Sequence, residues 1–196
     1  ALDCMITPVA TPNTGSLRGD LLELFGQRLP LAADEQFRGI VLSLMAASDR
    51  VINIDELQLE VLKNGDKFET RCARIGPKIG AKDLGYSYDV LPPGKTGCPF
   101  HSHRAEEEMF FIVRGTGLLR YGSETRKIRA GDFICCPTGG PDTAHQIIND
   151  SSEDLAYISV STMMPAEVCE YPDSGKIGAF GGEGDTRVRH LTRPAQ

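Results

Sequence analysis

At 196 residues, with 40% hydrophobic and 24% charged side chains, the chain is long enough for one domain with a sizeable core. Its formal net charge of −6 removes the electrostatic case for nucleic acid or an anionic membrane surface as a partner. The best apolar run, Gly39 to Ala47, is nine residues, against the roughly 20 that a membrane-spanning helix needs.

Up to residue 45 the apolar spacing is helical: Leu17, Leu21, Leu24 and Phe25, then Phe37, Ile40, Val41, Leu44 and Met45. Pro30 separates the two segments and Asp34 can cap the second. This predicts a short helical N-terminal extension over 1–45, expected to pack against the rest of the chain or a dimer partner. A domain of short strands is expected over 46–196.

Strand formers punctuated by Gly, Pro and Asp predict strands near 51–57, 67–75, 84–91, 99–103, 108–114, 117–121, 125–129, 132–136, 143–149 and 155–162. Turns fall at Pro92-Pro93-Gly94, Tyr121-Gly122-Ser123 and Ala130-Gly131-Asp132. With no helix between them, these strands imply an all-β antiparallel sandwich or barrel. From Glu170 the sequence carries five glycines between Gly175 and Gly184, and a loose or fraying tail is expected there. The six cysteines include no CxxC pair, and adjacent Cys135 and Cys136 point to opposite faces of a strand. Reduced thiols and a cytoplasmic location are the expectation.

The stretch "GCPFHSHRAEEEMFFIVRG", Gly97 to Gly115, places two of the chain's four histidines one residue apart. On a strand, alternation puts His101 and His103 on one face, where they can share a metal ion. Glu108 opens the next apolar run, and His145 follows the turn in "GDFICCPTGGPDTAHQIIND". Three imidazoles and one carboxylate leave open positions on a metal that accepts five or six ligands.

These two stretches resemble the cupin superfamily. His101, His103, Glu108 and Gly115 fit its first motif, with Gly94 one residue too far upstream. Gly131, Pro137, Gly139, His145 and Asn149 fit its second, with three extra residues before the histidine. The resemblance covers about 150 residues, is closest to small single-domain bacterial cupins, some named for sugar-phosphate isomerisation, and leaves 1–45 unaccounted for. It implies a single jelly-roll barrel with one divalent transition metal, Fe, Mn, Zn or Ni, held by His101, His103, Glu108 and His145.

Around that set, Glu107 is the alternative carboxylate, while Glu106 and Glu107 read as exposed charges at a strand edge. Cys98 reads as a small buried residue before Pro99, and Lys176 as part of a cover over the barrel mouth. Phe110 and Ile112 share the parity of Glu108, and Ile147 that of His145, so all three are expected inside. The apolar neighbours Met109, Phe111 and Val113 call for a covered outer face and hence a homodimer.

Three functions follow for a small-molecule ligand: a metal-dependent sugar or sugar-phosphate isomerase, an Fe(II) dioxygenase, or a metabolite-binding cupin without turnover. An isomerase needs an acid/base beyond the metal ligands, for which Tyr157 is the candidate. No GxxxxGK[ST] loop or basic cluster marks a phosphate site.

Overall fold

The computed structural model describes residues 50–182 and 188–192. Residues 53–77 and 81–196 form one contact-defined unit, which contains everything discussed below. The other, 1–52 with 78–80, has only 50–52 and 78–80 among the described residues. The helical extension expected over 1–45, and Cys4 within it, lie outside them.

Among the described residues thirteen strands follow in order: β1 Glu60–Asn64, β2 Phe68–Arg74, β3 Leu84–Leu91, β4 Ser102–His103, β5 Glu108–Arg114, β6 Thr116–Tyr121, β7 Glu124–Arg129, β8 Phe133–Cys136, β9 His145–Ile148, β10 Leu155–Thr162, β11 Ala166–Tyr171, β12 Lys176–Gly181 and β13 Val188–Thr192. They pair antiparallel into a six-stranded sheet, β1-β2-β3-β10-β5-β8, and two smaller ones, β7-β6-β9 and β13-β12-β11-β4. The main core draws Leu91, Ile112, Ile134 and Leu155 from the first sheet and Leu119, Ile128 and Ile147 from β6, β7 and β9. The expected all-β jelly-roll is what forms. Leu91, Ile112 and Leu155 are fully buried, and each such side chain stabilises the fold by roughly 1.5–3 kcal/mol.

Phe110, Ile112 and Ile147 lie inside, as parity required. Turn chemistry also holds, with positive φ at Gly94, Gly122 and Gly131. Gly115 is needed twice over: its φ is +84°, and a Cβ there would meet the Asp154 carbonyl oxygen at 2.5 Å.

Two expectations are corrected. Residues 51–57 hold no strand; Asn53 instead caps a short 3-10 turn at Ile54–Glu56, accepting from the Asp55 N–H at 2.9 Å. Local side-chain hydrogen bonding outweighs the apolar alternation there. The stretch after Glu170 is no loose tail, because β12 pairs with β11 and β13 along its length. Its glycines admit rings: a Cβ on Gly178 would stand 3.1 Å from the Phe180 ring.

The inward positions of the large sheet change character along the strands. Leu91 and Leu155 close one end; Asp89, Tyr157 and Ile112 come next, still buried. Ser87, Ser159, Ser161 and Glu108 follow, only half-buried. The interior is therefore apolar and sealed at one end, polar and open at the other.

Candidate metal centre

Backbone pairing brings the candidate ligands together. The His101 N–H donates to the His145 carbonyl at 3.2 Å and the His145 N–H to the His101 carbonyl at 2.8 Å. His103 sits on β4 opposite Cys169 of β11, and Glu108 opens β5. The Nε2 atoms of His145, His103 and His101 stand 2.9, 3.3 and 3.7 Å from one oxygen, Oε2 of Glu108. One donor atom from each of the four residues lies within 4.8 Å of all the others.

The opposite ring nitrogens decide what this convergence means. Nδ1 of His101 lies 2.8 Å from the Pro99 carbonyl oxygen, and Nδ1 of His145 lies 3.3 Å from that of Thr143. Nδ1 of His103 lies 3.5 Å from the Glu167 carboxylate. The Nδ1 atoms of His101 and His145 thus each face a backbone carbonyl, while Nδ1 of His103 is buried without a hydrogen-bond partner. Three imidazoles and one carboxylate turned toward a common point form a cluster positioned for a metal ion. Thr143 lies in the stretch between Gly139 and His145, where the second motif carries three extra residues.

Charge within the cluster follows. Burial alone would raise the Glu108 carboxyl, but hydrogen bonds with the three imidazoles hold it well below the usual range. Desolvation lowers His145, and the hydrogen bond with Glu108 only partly offsets it. Desolvation also works against charge on His103, yet Glu108, Glu167 and Glu106 together raise it.

Glu167, not singled out in the sequence, is buried and accepts the backbone N–H groups of Arg104, Ala105 and Glu106 at 2.8, 2.9 and 2.6 Å. His103, Glu106 and Glu167 also approach closely enough to suggest a second cation site. With three N–H groups already on the Glu167 oxygens, that group serves better as a strap than as a ligand set. Nothing in the sequence marked β11 as a strand, so the parity of Glu167 was not legible.

Other candidates separate. Glu107 turns outward, its carboxylate accepting from the Cys135 thiol at 3.5 Å, which leaves Glu108 in the cluster. Glu106 is buried rather than an exposed edge charge, and accepts from the Met164 N–H at 3.2 Å. Cys98 is solvent-facing, not buried. The protein around its sulfur nevertheless pushes the thiol up to about 12, first by desolvation and then through Glu108. Tyr157 is in the core with the Phe110 ring 5.7 Å away; Phe110 in turn lies 5.7 Å from His145. Desolvation raises the Tyr157 phenol well above its ordinary value. Lys176 opens β12 opposite Tyr171, whose ring lies 6.1 Å from His101. Cys72, Cys98, Cys135, Cys136 and Cys169 are all free thiols.

A jelly-roll whose wall gathers a His-x-His pair, a glutamate and a third histidine defines a metal-site β-barrel. Residues 87–161 match the cupin domain family. It is 27% identical over 118 residues to an oxalate-binding protein of Thermotoga maritima, covering 58% of this chain and 94% of that one. A cupin-superfamily sugar phosphate isomerase from Silicibacter pomeroyi superposes with a TM-score of 0.63 at 20% identity, covering 74% of this chain and 92% of that one. A protein from Acidithiobacillus ferrooxidans, provisionally named a sugar phosphate isomerase, gives 0.64 at 23%, covering 73% and 91%. At these identities the two structures speak for the fold. No helix among the described residues is long and apolar enough to cross a membrane.

Proposed function

We propose that the protein is a metal-dependent enzyme that isomerises small hydroxy-carbonyl compounds, with sugars or sugar phosphates as the substrate class. The convergence of three imidazole Nε2 atoms on Glu108 carries this reading. His101, His103, Glu108 and His145 would hold one divalent ion, Fe, Mn, Zn or Ni, and the ion would supply Lewis-acid polarisation of a carbonyl. Isomerisation also needs a proton carrier separate from the ligands. The open interior offers ionisable side chains of that kind, which oxygen chemistry on Fe(II) would not require. The structural neighbours named for sugar phosphate isomerisation agree with this reading.

The oxalate-binding relative supports a second reading, in which the same cluster holds a small carboxylate without turning it over. Five free thiols, with Cys135 and Cys136 adjacent, are in keeping with a reducing, cytoplasmic home.

The test is metal analysis of the purified protein followed by turnover assays on hydroxy-carbonyl compounds with and without oxygen. An isomerase works anaerobically and tolerates zinc or manganese in place of iron. Activity that consumes oxygen and disappears on zinc substitution would establish the dioxygenase instead. Tight binding of a metabolite left unchanged in both atmospheres would establish the binder.

A further inference from the structure

The wall beside the metal centre is polar on a face where sandwich interiors are usually apolar. Register aligns its inward side chains in rows. Cys72 lies opposite Asp89, and Asp89 opposite Tyr157. One row nearer the open end, Arg74 lies opposite Ser87, Ser87 opposite Ser159, and Ser159 opposite Phe110. Ser161 then lies opposite Glu108 itself. A polar stripe thus runs across β2, β3 and β10 to the metal cluster on β5.

Asp89 is the pivot of that stripe. It is buried, accepts from the Ser87 hydroxyl at 2.6 Å and the Thr70 hydroxyl at 3.3 Å, and touches none of the four candidate ligands. The Ser87 and Ser159 hydroxyl oxygens are 3.1 Å apart. Arg74, at the rim, is exposed and makes no ion pair among the described residues. Burying a carboxylate and several hydroxyls costs stability that apolar side chains would not. Such a cost on the strands that lead to a candidate metal centre marks a ligand wall.

We infer that this wall binds a small polyhydroxylated anion, with its hydroxyls on Ser87, Ser159 and Ser161, its anionic end at Arg74, and Asp89 as the proton-transfer residue. The role of Asp89 rests on the isomerase reading; the binding wall does not. In the isomerisation Asp89 takes the proton from C2 while the C1 carbonyl oxygen picks up a proton, and an enediol forms. Asp89 then returns its proton to C1 as the C2 hydroxyl gives up its own. One C–H bond breaks and one forms, and one proton passes from O2 to O1, so no oxidant or reductant is needed. Desolvation raises the Asp89 carboxyl, the direction that suits a proton carrier near neutral pH.

The experiment is isothermal titration of the Mn(II)-loaded protein with C3 to C6 aldose phosphates, the matching unphosphorylated aldoses and inorganic phosphate. The expected result is binding of at least one aldose phosphate. Arg74→Met should weaken it by about tenfold or more without affecting the unphosphorylated sugar, and Ser159→Ala should weaken both. Asp89→Asn should retain binding but lose exchange of the sugar's C2 hydrogen with deuterated water. Binding indifferent to both Arg74→Met and Ser159→Ala would overturn the wall, as would a panel in which nothing binds. Binding that depends on Arg74, with neither isomer nor exchange, keeps the wall and rejects the isomerase. Isomer formation untouched by all three variants keeps the isomerase and rejects the wall. Arg74 and Ser159 are not buried, so their variants carry the test even if Asp89→Asn were to fold poorly.

Discussion

Nδ1 of His103 lies 3.5 Å from Oε1 of Glu167, a carboxylate that is itself locked by three backbone N–H donors. The β4–β5 connection thereby fixes an acid, the acid fixes a ring, and the ring presents Nε2 to the centre. Glu167→Gln should lower divalent-metal affinity by roughly 10- to 100-fold. Chelator competition reads this directly. If the side chain only braced the loop, melting temperature would fall while metal affinity stayed at the wild-type level.

A second expectation concerns the metal. A cation held by the four-residue cluster would bind only the folded state, and such a ligand raises stability by mass action. Zn(II) or Mn(II) should therefore raise the melting temperature of metal-stripped protein. In His145→Ala the donor nearest Glu108 is gone, at 2.9 Å in the native cluster. That variant should stay folded, lose most bound metal and show little or no thermal shift. Full metal retention would remove His145 from the ligand set.

The ligand set was legible because strand parity and the spacing of scarce histidines coincide at His101, His103 and His145. Asp89 was not, and the reason is physical. In "LGYSYDVL" the apolar residues Tyr86, Tyr88 and Val90 point outward, while Ser87 and Asp89 point in. Hydrophobic alternation read with its usual sense assigns this strand the wrong inner face. The inversion is tolerated because the outer face has a core of its own, where Tyr88, Val90 and Ala156 pack with Leu57, Leu59, Ile75, Val113 and Ile158. Glu167 escaped for another reason: no strand was expected between residue 162 and the tail from Glu170, so its parity could not be assigned.

The inverted face also predicts a pH dependence. Asp89 has its folded-state pKa raised above 3.8, by desolvation that hydrogen bonds from Ser87, Cys72 and Thr70 only partly offset. Between its unfolded and folded pKa values the native state holds the proton more tightly than the unfolded chain does. Its contribution is therefore most favourable below about 3.8 and is lost as pH rises through the folded value. Asp89→Asn removes that titration and keeps an acceptor for the two hydroxyls. The melting temperature of the variant minus that of wild type should grow from acid toward neutral pH. A difference that stays flat across that range would show that Asp89 carries no such penalty.

The outer face leads to the last prediction, a homodimer. The second core covers the β3–β10 half of that face, but the β5–β8 half is uncovered among the described residues. Phe133 is 72% exposed and Met109 42%, and the Phe133 ring lies 4.6 Å from Phe111. A contiguous apolar patch on an antiparallel sheet is buried most simply by its own copy across a two-fold axis. Phe133→Glu would place two like charges in that contact while leaving the interior core untouched, since the side chain already stands in solvent. Light scattering at micromolar concentration should give a dimer for wild type and a monomer for Phe133→Glu, with unchanged far-UV dichroism. A wild-type monomer would refute the assembly, and a dimer that survives the charge would move its interface to another face.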